Sequence, residues 1–187
     1  MNTALSDFDE LARRRRTSLL IDVDKPVPPE LIMQLCELAT WAPNHKRTWP
    51  WRFSVLTGDA RVKLGALTRE QLLSEGEKRE GKLAKALTKY CRASTIVMVA
   101  AAHQDEPEVL YEDHLAVAAG IQNFLLGATA AGLASFWASG APLRSDAVRE
   151  LCGFEPTDHM IALIYLGWPT DGVLAPQRPE PTVTFVE

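Results

Sequence analysis

The chain is poor in cysteine, in aromatic residues and in long apolar runs. Its three cysteines, Cys36, Cys91 and Cys152, lie far apart, and they form neither a CxxC pair nor another metal-binding spacing. We therefore expect free thiols in a reducing compartment, no metal site and a cytoplasmic location. The N-terminus lacks the apolar segment of a signal peptide, and no uninterrupted run of about 20 apolar residues predicts a membrane span.

The chain also lacks an excess of positive charge, which argues against a nucleic-acid partner. The 187 residues include 20 Lys and Arg against 24 Asp and Glu, for a net charge of −4, whereas a nucleic-acid surface needs a strong basic balance. Residues 61–92 are locally basic, and we interpret them as a solvated helical face. The length and the 47% hydrophobic content predict one globular domain over residues 1–187.

The apolar periodicity predicts an α+β fold in which helices outnumber the strands of a small sheet. Ser6 is the predicted N-cap of a first helix that ends in four consecutive arginines, 13–16. A second helix begins at Pro29, and a segment rich in Ala, Gly and Leu over residues 109–132 predicts a long buried helix near a two-fold axis. Further helices are predicted at 59–73, 77–90 and 143–152, and strands at 52–57, 95–102, 135–137, 160–166 and 182–186.

The loop 42–51 carries the strongest functional signal. It combines two prolines, which stiffen it, with His45, two cations and two indole rings, and Trp41 comes directly before it. This composition suits a flat, anionic, aromatic ligand. His45 could instead be a loop histidine that bonds the backbone, and the sequence leaves both readings open. His103, His114 and His159 look isolated and are expected to be structural.

Two other segments, residues 13–16 and 127–132, could either bind a ligand or have a purely structural role. The arginines 13–16 could bind an anion, with Thr17 and Ser18 beside them, or could be a solvated cluster. The small residues 127–132 resemble a nucleotide loop only superficially, because they end a helix, and tight packing with a cap at Gly132 is the stronger reading. Ser139 lacks the G-x-S-x-G pattern of a nucleophile elbow.

Five motifs in order resemble the nitroreductase superfamily of FMN-dependent oxidoreductases, in its compact bacterial NAD(P)H nitroreductase-like branch. They are Arg-Arg-Thr at 15–17, Ala-Pro-Asn-His-Lys at 42–46 running into Pro-Trp-Arg-Phe at 50–53, the segment 132–140, the segment 163–169 and Arg-Pro at 178–179. The order and spacing cover nearly the whole chain, from about residue 8 to its end.

The resemblance implies a homodimer with FMN at the subunit interface and a C-terminal extension exchanged with the partner. It assigns FMN contacts to both chains and places the nicotinamide nucleotide near the end of the long helix. The implied FMN contacts are Arg15, Arg16, Thr17, Trp41, His45, Trp137, Ala138, Ser139 and Arg178. The implied nucleotide contacts are Gly127, Ala128, Thr129, Ala130, Ala131 and Gly132.

The implied activity is transfer of a hydride from NAD(P)H through FMN to a nitro compound, a quinone or another conjugated acceptor. A specialised flavin-dependent dehydrogenase, a flavin-consuming enzyme and a flavin-binding module without turnover are the alternatives. The chain departs from the family pattern at two positions. Leu19 stands where many members have a further cation, and Trp49 stands where glutamine is common; Trp41, Trp49 and Trp137 would supply aromatic walls for flat substrates.

Overall fold

Four antiparallel strands form the centre of the fold, in the order β1–β2–β4–β3. The protein is described by a computed structural model over residues 3–187. The strands are β1 (Trp51–Leu56), β2 (Thr95–Ala101), β3 (Ala134–Ala138) and β4 (His159–Gly167). The helices are α1 (Thr3–Arg14), α2 (Pro29–Thr40), α3 (Asp59–Ser74), α4 (Glu80–Thr88), α5 (Pro107–Ala130) and α6 (Asp146–Leu151), with 3₁₀ turns at His45–Arg47, Lys89–Arg92 and Ala141–Arg144.

Both faces of the sheet are covered, which explains why its central strands are apolar throughout. Successive side chains of a strand point to opposite faces. Val97 and Val99 of β2 accordingly pack in one hydrophobic cluster with residues of α2 and α5. Ile96 and Met98 belong to a second cluster on the other face. The predicted α+β class with a small sheet is confirmed.

The long helix α5 lies in the core, as its composition predicts. It begins with Pro107 in its first turn and ends before Gly132, whose φ of +77° suits a residue without a side chain. Small residues let α2 approach closely. A Cβ atom on Gly127 would lie only 2.8 Å from Leu38 Cδ1 and 2.9 Å from Leu35 Cδ2. Tight packing is therefore the correct interpretation of Gly127.

One local prediction is wrong. Helix α1 already includes residues 3–5, so Ser6 lies inside the helix instead of capping it. The segment 182–186 pairs with no strand of the described chain, and its pairing with a partner subunit stays a prediction. None of the helices described between residues 3 and 187 combines the length and the apolarity needed to cross a bilayer.

Candidate functional site

The segment 15–19 leaves α1 and runs alongside strand β3 at the edge of the sheet. Thr17 forms a parallel bridge with Ser135, and the Ser18 N–H donates to the Ser135 carbonyl oxygen at 3.0 Å. Side chains of an extended chain alternate in direction. Arg16 and Ser18 line one cleft and Leu19 lines a second, whereas Arg15 lines a third that Arg16 also borders.

The cleft that Arg15 lines, which we call the arginine cleft, contains three cations that make no ion pair within the described chain: Arg15, Arg16 and Arg178. Its volume is about 710 Å³, and it is lined by Asp9, Ala12, Arg13, Arg15, Arg16, Gln122, Ala175, Pro176 and Arg178. Burial lowers the pKa of Arg15, and the charges of Arg178 and Arg16 lower it further. Asp9 is engaged by Arg13 at 2.7 Å. Cations held together at this cost indicate a site for an anion.

The second, the lysine cleft, lies at the Leu19 end of the same segment. It has a volume of about 510 Å³ and combines the predicted contacts Ala138 and Ser139 with an aromatic floor and a cationic rim. The floor residues are Tyr90, Phe136 and Tyr165, and the rim residues are Lys82, Lys85, Lys89, Arg92 and Arg144. Trp137 does not line this cleft; its side chain is exposed.

Three of the rim cations are unneutralised. Lys82 pairs with Glu77 and Arg144 with Glu75, but Lys85, Lys89 and Arg92 make no ion pair with any residue of the described chain. The pKa of Lys89 is lowered by burial and by the neighbouring lysines. The sequence interpretation of 61–92 as a solvated face missed this rim, because the basic stretch gives no sign of which cations turn toward β3.

The third cleft lies at the end of α5 and is lined by part of the segment 127–132, the predicted nucleotide contact. Thr129, Ala130 and Gly132 line this cleft of about 730 Å³, together with Arg14 and Arg16. The structure does not bring the other three residues into it. Gly127 packs on α2, Ala128 is fully buried, and Ala131 packs against the core.

The loop 42–51 is strained. Lys46, Arg47 and Trp49 have φ values of 59°, 56° and 53°, a left-handed conformation that is uncommon outside glycine. Each such residue costs on the order of 1–3 kcal/mol and persists only where its surroundings enforce it. Strain of this kind concentrates at functional sites, which supports the sequence prediction of a site here.

Contacts with the N-terminal half of α5 enforce this loop. The buried Asp113 carboxylate accepts hydrogen bonds from Asn44 Nδ2 at 3.0 Å and from the Thr48 hydroxyl. His45 Nδ1 lies 2.6 Å from a Glu112 carboxylate oxygen, and Lys46 pairs with Glu106 at 3.3 Å. His45 therefore contacts a carboxylate, and not the backbone group that the alternative prediction required.

Asp113, Asn44 and Thr48 were missed by the sequence analysis. The loop residues are 65 or more positions from Asp113, so no local pattern links them. A carboxylate in the apolar stretch of α5 was the available signal, since a buried acid needs hydrogen-bond partners.

The predicted flavin contacts fall into two groups along α5. Loop 42–51 contacts Glu106, Glu112 and Asp113, while the arginine cleft reaches Gln122. Ten residues of helix separate Glu112 from Gln122, or about 15 Å. Trp41 is exposed at the end of α2, on the loop side.

The expectation that His103, His114 and His159 are isolated is wrong. His103 Nδ1 lies 3.2 Å from His159 Nε2 with the rings within 7° of parallel, and the His114 ring centroid is 5.2 Å from that of His159. Strand pairing brings them together, because Ala101 of β2 faces His159 of β4. Between residues 3 and 187, no three His, Cys, Asp or Glu side chains are arranged to hold a metal ion.

This histidine cluster predicts a stability loss in mild acid. Burial lowers the pKa of His114 from its ordinary 6.5, the charge of His159 lowers it further, and Asp113 opposes the shift. The neutral ring is thus favoured in the folded protein. Its stabilising contribution is present above pH 6.5 and is lost as the pH falls through the lowered folded pKa. We expect the free energy of unfolding to fall as the pH drops below 6.5.

Urea denaturation at several pH values measures this effect, with His114→Gln as the comparison. The variant should show a shallower decline over the same range. The Glu75 carboxylate does not titrate in this range, since hydrogen bonds from Arg144 and Gln71 lower its pKa to about 2. Equal slopes in the two proteins would assign the acid sensitivity to other groups.

Comparison with known proteins identifies the family of the chain. The Nitroreductase family model matches residues 12–168. The "Putative NAD(P)H nitroreductase YdjA" of Escherichia coli K12 is 28% identical over 181 residues, which cover 94% of this chain and 96% of that protein. The structure of a nitroreductase-like family protein from Bacillus cereus has a TM-score of 0.79 at 25% identity, covering 92% of this chain and 90% of that one. The FMN-dependent nitroreductase NfnB from Mycobacterium smegmatis, solved with NADPH, shares the fold with a TM-score of 0.73 at 21% identity, covering 94% and 96%.

Proposed function

Because the chain belongs to the nitroreductase family, we propose that it is an FMN-dependent oxidoreductase that takes hydride from NAD(P)H and reduces a nitro, quinone or other conjugated acceptor. The observation that carries the proposal is the pair of cation-lined clefts at the two ends of the segment 15–19. An extended chain of four steps spans about 13 Å. FMN has a matching layout, with a phosphate at one end and a polar ring edge at the other.

The arginine cleft fits the phosphate of FMN. Arg15 and Arg178 are cations without an acidic partner in the described chain, and their mutual repulsion would be relieved by a dianion. Guanidinium groups bind phosphate through paired, charge-assisted hydrogen bonds. Thr17 lies between the clefts, where its hydroxyl would meet the ribityl chain.

The lysine cleft fits the ring. When bound, FMN supplies hydride transfer in two half-reactions, first from the nucleotide and then to the acceptor at the same site. Lys85, Lys89 and Arg92 would stabilise the negative charge that develops at the ring edge during this transfer. They would also replace the family cation that is absent at Leu19, while Ala138, at the end of β3, and Ser139 line the same cleft.

We propose that the protein is a homodimer in which His45 and Trp41 reach the flavin of the other subunit. The 15 Å offset along α5 supports this arrangement, because the two groups of contacts do not converge within one chain. Exposed apolar side chains support it too. Tyr111 and Leu115 on α5, and Leu174 and Phe185 in the C-terminal extension, lack apolar cover.

The end of α5 is our candidate region for the nicotinamide nucleotide. Only Thr129, Ala130 and Gly132 of the six predicted residues line the cleft there. Arg14 and Arg16 share the cleft and would provide positive charge for the nucleotide's phosphates. Packing of Gly127 and Ala128 in the core gives those two residues a structural role instead.

Anaerobic rapid mixing of FMN-loaded protein with NADH or NADPH tests the function. We expect the visible flavin absorbance to bleach within one turnover, and to return when a quinone or a nitroaromatic compound is added. A yellow protein that neither nucleotide bleaches would favour a flavin-binding module without turnover. Protein that takes up no FMN would contradict the proposal altogether.

A further inference from the structure

Trp49 combines two features that work against folding. Its backbone has a φ of 53°, although bulky residues rarely adopt the left-handed conformation. The residue is 60% exposed, so much of its apolar surface gains nothing from burial. The closest ring is Trp51, 6.4 Å away and tilted by 46°. Packing within the chain therefore does not explain why an indole stands here.

Specific hydrogen bonds nevertheless fix Trp49. Its N–H donates to Asn44 Oδ1 at 2.9 Å, and its carbonyl oxygen accepts from Arg52 Nη1 at 3.1 Å. Asn44 is held in turn by the buried Asp113, at 3.0 Å. A buried carboxylate is costly unless it is hydrogen-bonded, and Oδ1 of this one accepts from the loop residues Asn44 and Thr48, whereas its buried Oδ2 has no hydrogen-bond partner in the described chain.

We propose that Trp49 is a specificity-determining residue that stacks on a flat, conjugated electron acceptor, and that Asp113 is a positioning residue acting on it through Asn44. This inference rests on the proposed function, in which loop 42–51 borders the flavin. An indole offers a broad π surface that favours offset stacking on other planar rings. The glutamine common at this position would offer an amide instead.

The strain at Trp49 supports a recognition role over a purely structural one. A loop selected for stability alone would place glycine or asparagine at a φ of 53°, since these residues accept it at little cost. The chain instead keeps a large ring there and directs it outward. The hydrogen bonds at the Trp49 backbone N–H and carbonyl oxygen fix the backbone that carries the ring, so less freedom is lost when a substrate stacks on it, which increases its contribution to affinity.

Acceptor kinetics of the FMN-loaded enzyme test this role. The variants are Trp49→Gln, which removes the ring, and Trp49→Phe, which keeps a smaller one. The acceptors are benzoquinone and nitrobenzene, which are flat, and ferricyanide, which takes electrons without stacking. We expect Trp49→Gln to lower kcat/KM for the flat acceptors about 10-fold, mainly through KM, and Trp49→Phe to retain most of it. Ferricyanide turnover should fall much less than turnover of the flat acceptors in both variants, because ferricyanide accepts electrons without stacking on the indole.

A double-mutant cycle tests the positioning role of Asp113. Asp113→Asn should reproduce the selective loss for flat acceptors. Adding Trp49→Gln to it should cost little more, because both changes remove the same interaction. A residue that only supports the fold would lower turnover with every acceptor, and the two losses would then add.

Several outcomes would overturn the inference. Equal losses for flat acceptors and ferricyanide would show a general structural role. Weaker dimerisation of Trp49→Gln in analytical ultracentrifugation would show that a second copy of the chain covers the indole. Failure of the proposed function is distinguishable, because it appears in the wild-type protein as bound FMN that neither nucleotide reduces. If Asp113→Asn does not fold, the Gln and Phe variants of Trp49 still decide the case.

Discussion

Arg15→Ala should weaken FMN binding by about 10- to 100-fold. A hydrogen bond to a charged group contributes about 1.5–3 kcal/mol, and each 1.4 kcal/mol is a factor of ten in the dissociation constant. The guanidinium of Arg15 lies with Arg16 and Arg178 in the arginine cleft. Titration of apoprotein with FMN, followed by quenching of the flavin fluorescence, measures the loss directly.

The same substitution should not destabilise the apoprotein. The pKa of Arg15 is lowered by burial and by two neighbouring cations, so its removal relieves repulsion in the protein without ligand. We expect an unchanged or slightly higher unfolding midpoint for the apo form. Opposite effects on ligand affinity and on apo stability are typical of a binding residue, and the reverse pattern would be typical of a structural one.

Arg13→Ala is the matched control. Arg13 lines the same cleft, but its side chain is exposed and its charge is already paired with Asp9 at 2.7 Å. An exposed pair of this kind contributes little. The affinity for FMN should therefore change by less than about twofold. Equal losses from Arg13→Ala and Arg15→Ala would indicate diffuse electrostatic attraction instead of a defined phosphate site.

The strands were predictable because the sheet is covered on both faces. Buried runs such as Thr95–Ala101 contain only apolar or small residues, and their length separates them from helices. The predicted bounds of β2 and β4 lie within one residue of the observed ones. The end of α5 was equally clear, since Gly132 is the residue that a left-handed cap requires.

Residues that depend on tertiary contacts were not predictable. Asp113 meets Asn44 across 69 positions of sequence, and Lys89 shares a cleft with Ser139 across 50. Only the packing of α4 and α5 around the sheet creates these neighbours. Local signals can also mislead, as Ser6 shows. A good capping residue sets the start of a helix only if the residues before it do not themselves adopt the helical conformation.

The composition of loop 42–51 indicated a site, and the structure shows how the loop is held. Two prolines predict stiffness, but the stiffness comes equally from the buried Asp113 and from Trp51. The Trp51 indole is buried, and its N–H donates to the Ala116 carbonyl oxygen at 3.3 Å. The loop is therefore anchored to α5 at two points, on either side of Trp49.

Gly120→Ala should disturb this anchor and destabilise the protein by about 2 kcal/mol or more. A Cβ atom at this position would lie 2.6 Å from the Ala39 carbonyl oxygen and 2.6 Å from Trp51 Nε1. Extra volume in a packed core typically costs about 1–3 kcal/mol and occasionally more. Alanine is intrinsically better than glycine inside a helix by up to about 1 kcal/mol, which offsets part of this cost.

Gly81→Ala is the control, because a Cβ atom there meets nothing within 4 Å. Gly81 lies in the first turn of α4, so its replacement should be neutral or stabilising by up to about 1 kcal/mol. Urea denaturation of the two variants should thus give opposite signs. A Gly120→Ala variant as stable as the wild type would contradict this prediction. It would mean that α5 and α2 can move apart to relieve the contact between the new Cβ and the Ala39 carbonyl oxygen at no cost in the free energy of unfolding.

The two variants also separate stability from site geometry. Gly120→Ala pushes on Trp51, and Trp51 follows the loop that presents His45 and Trp49. We therefore expect Gly120→Ala, but not Gly81→Ala, to reduce turnover of flat acceptors even at temperatures where the variant remains folded. The same result would link the packing of the long helix to the function of the loop, because the atoms nearest to a Cβ on Gly120 belong to Ala39 and Trp51, neither of which is a predicted cofactor contact.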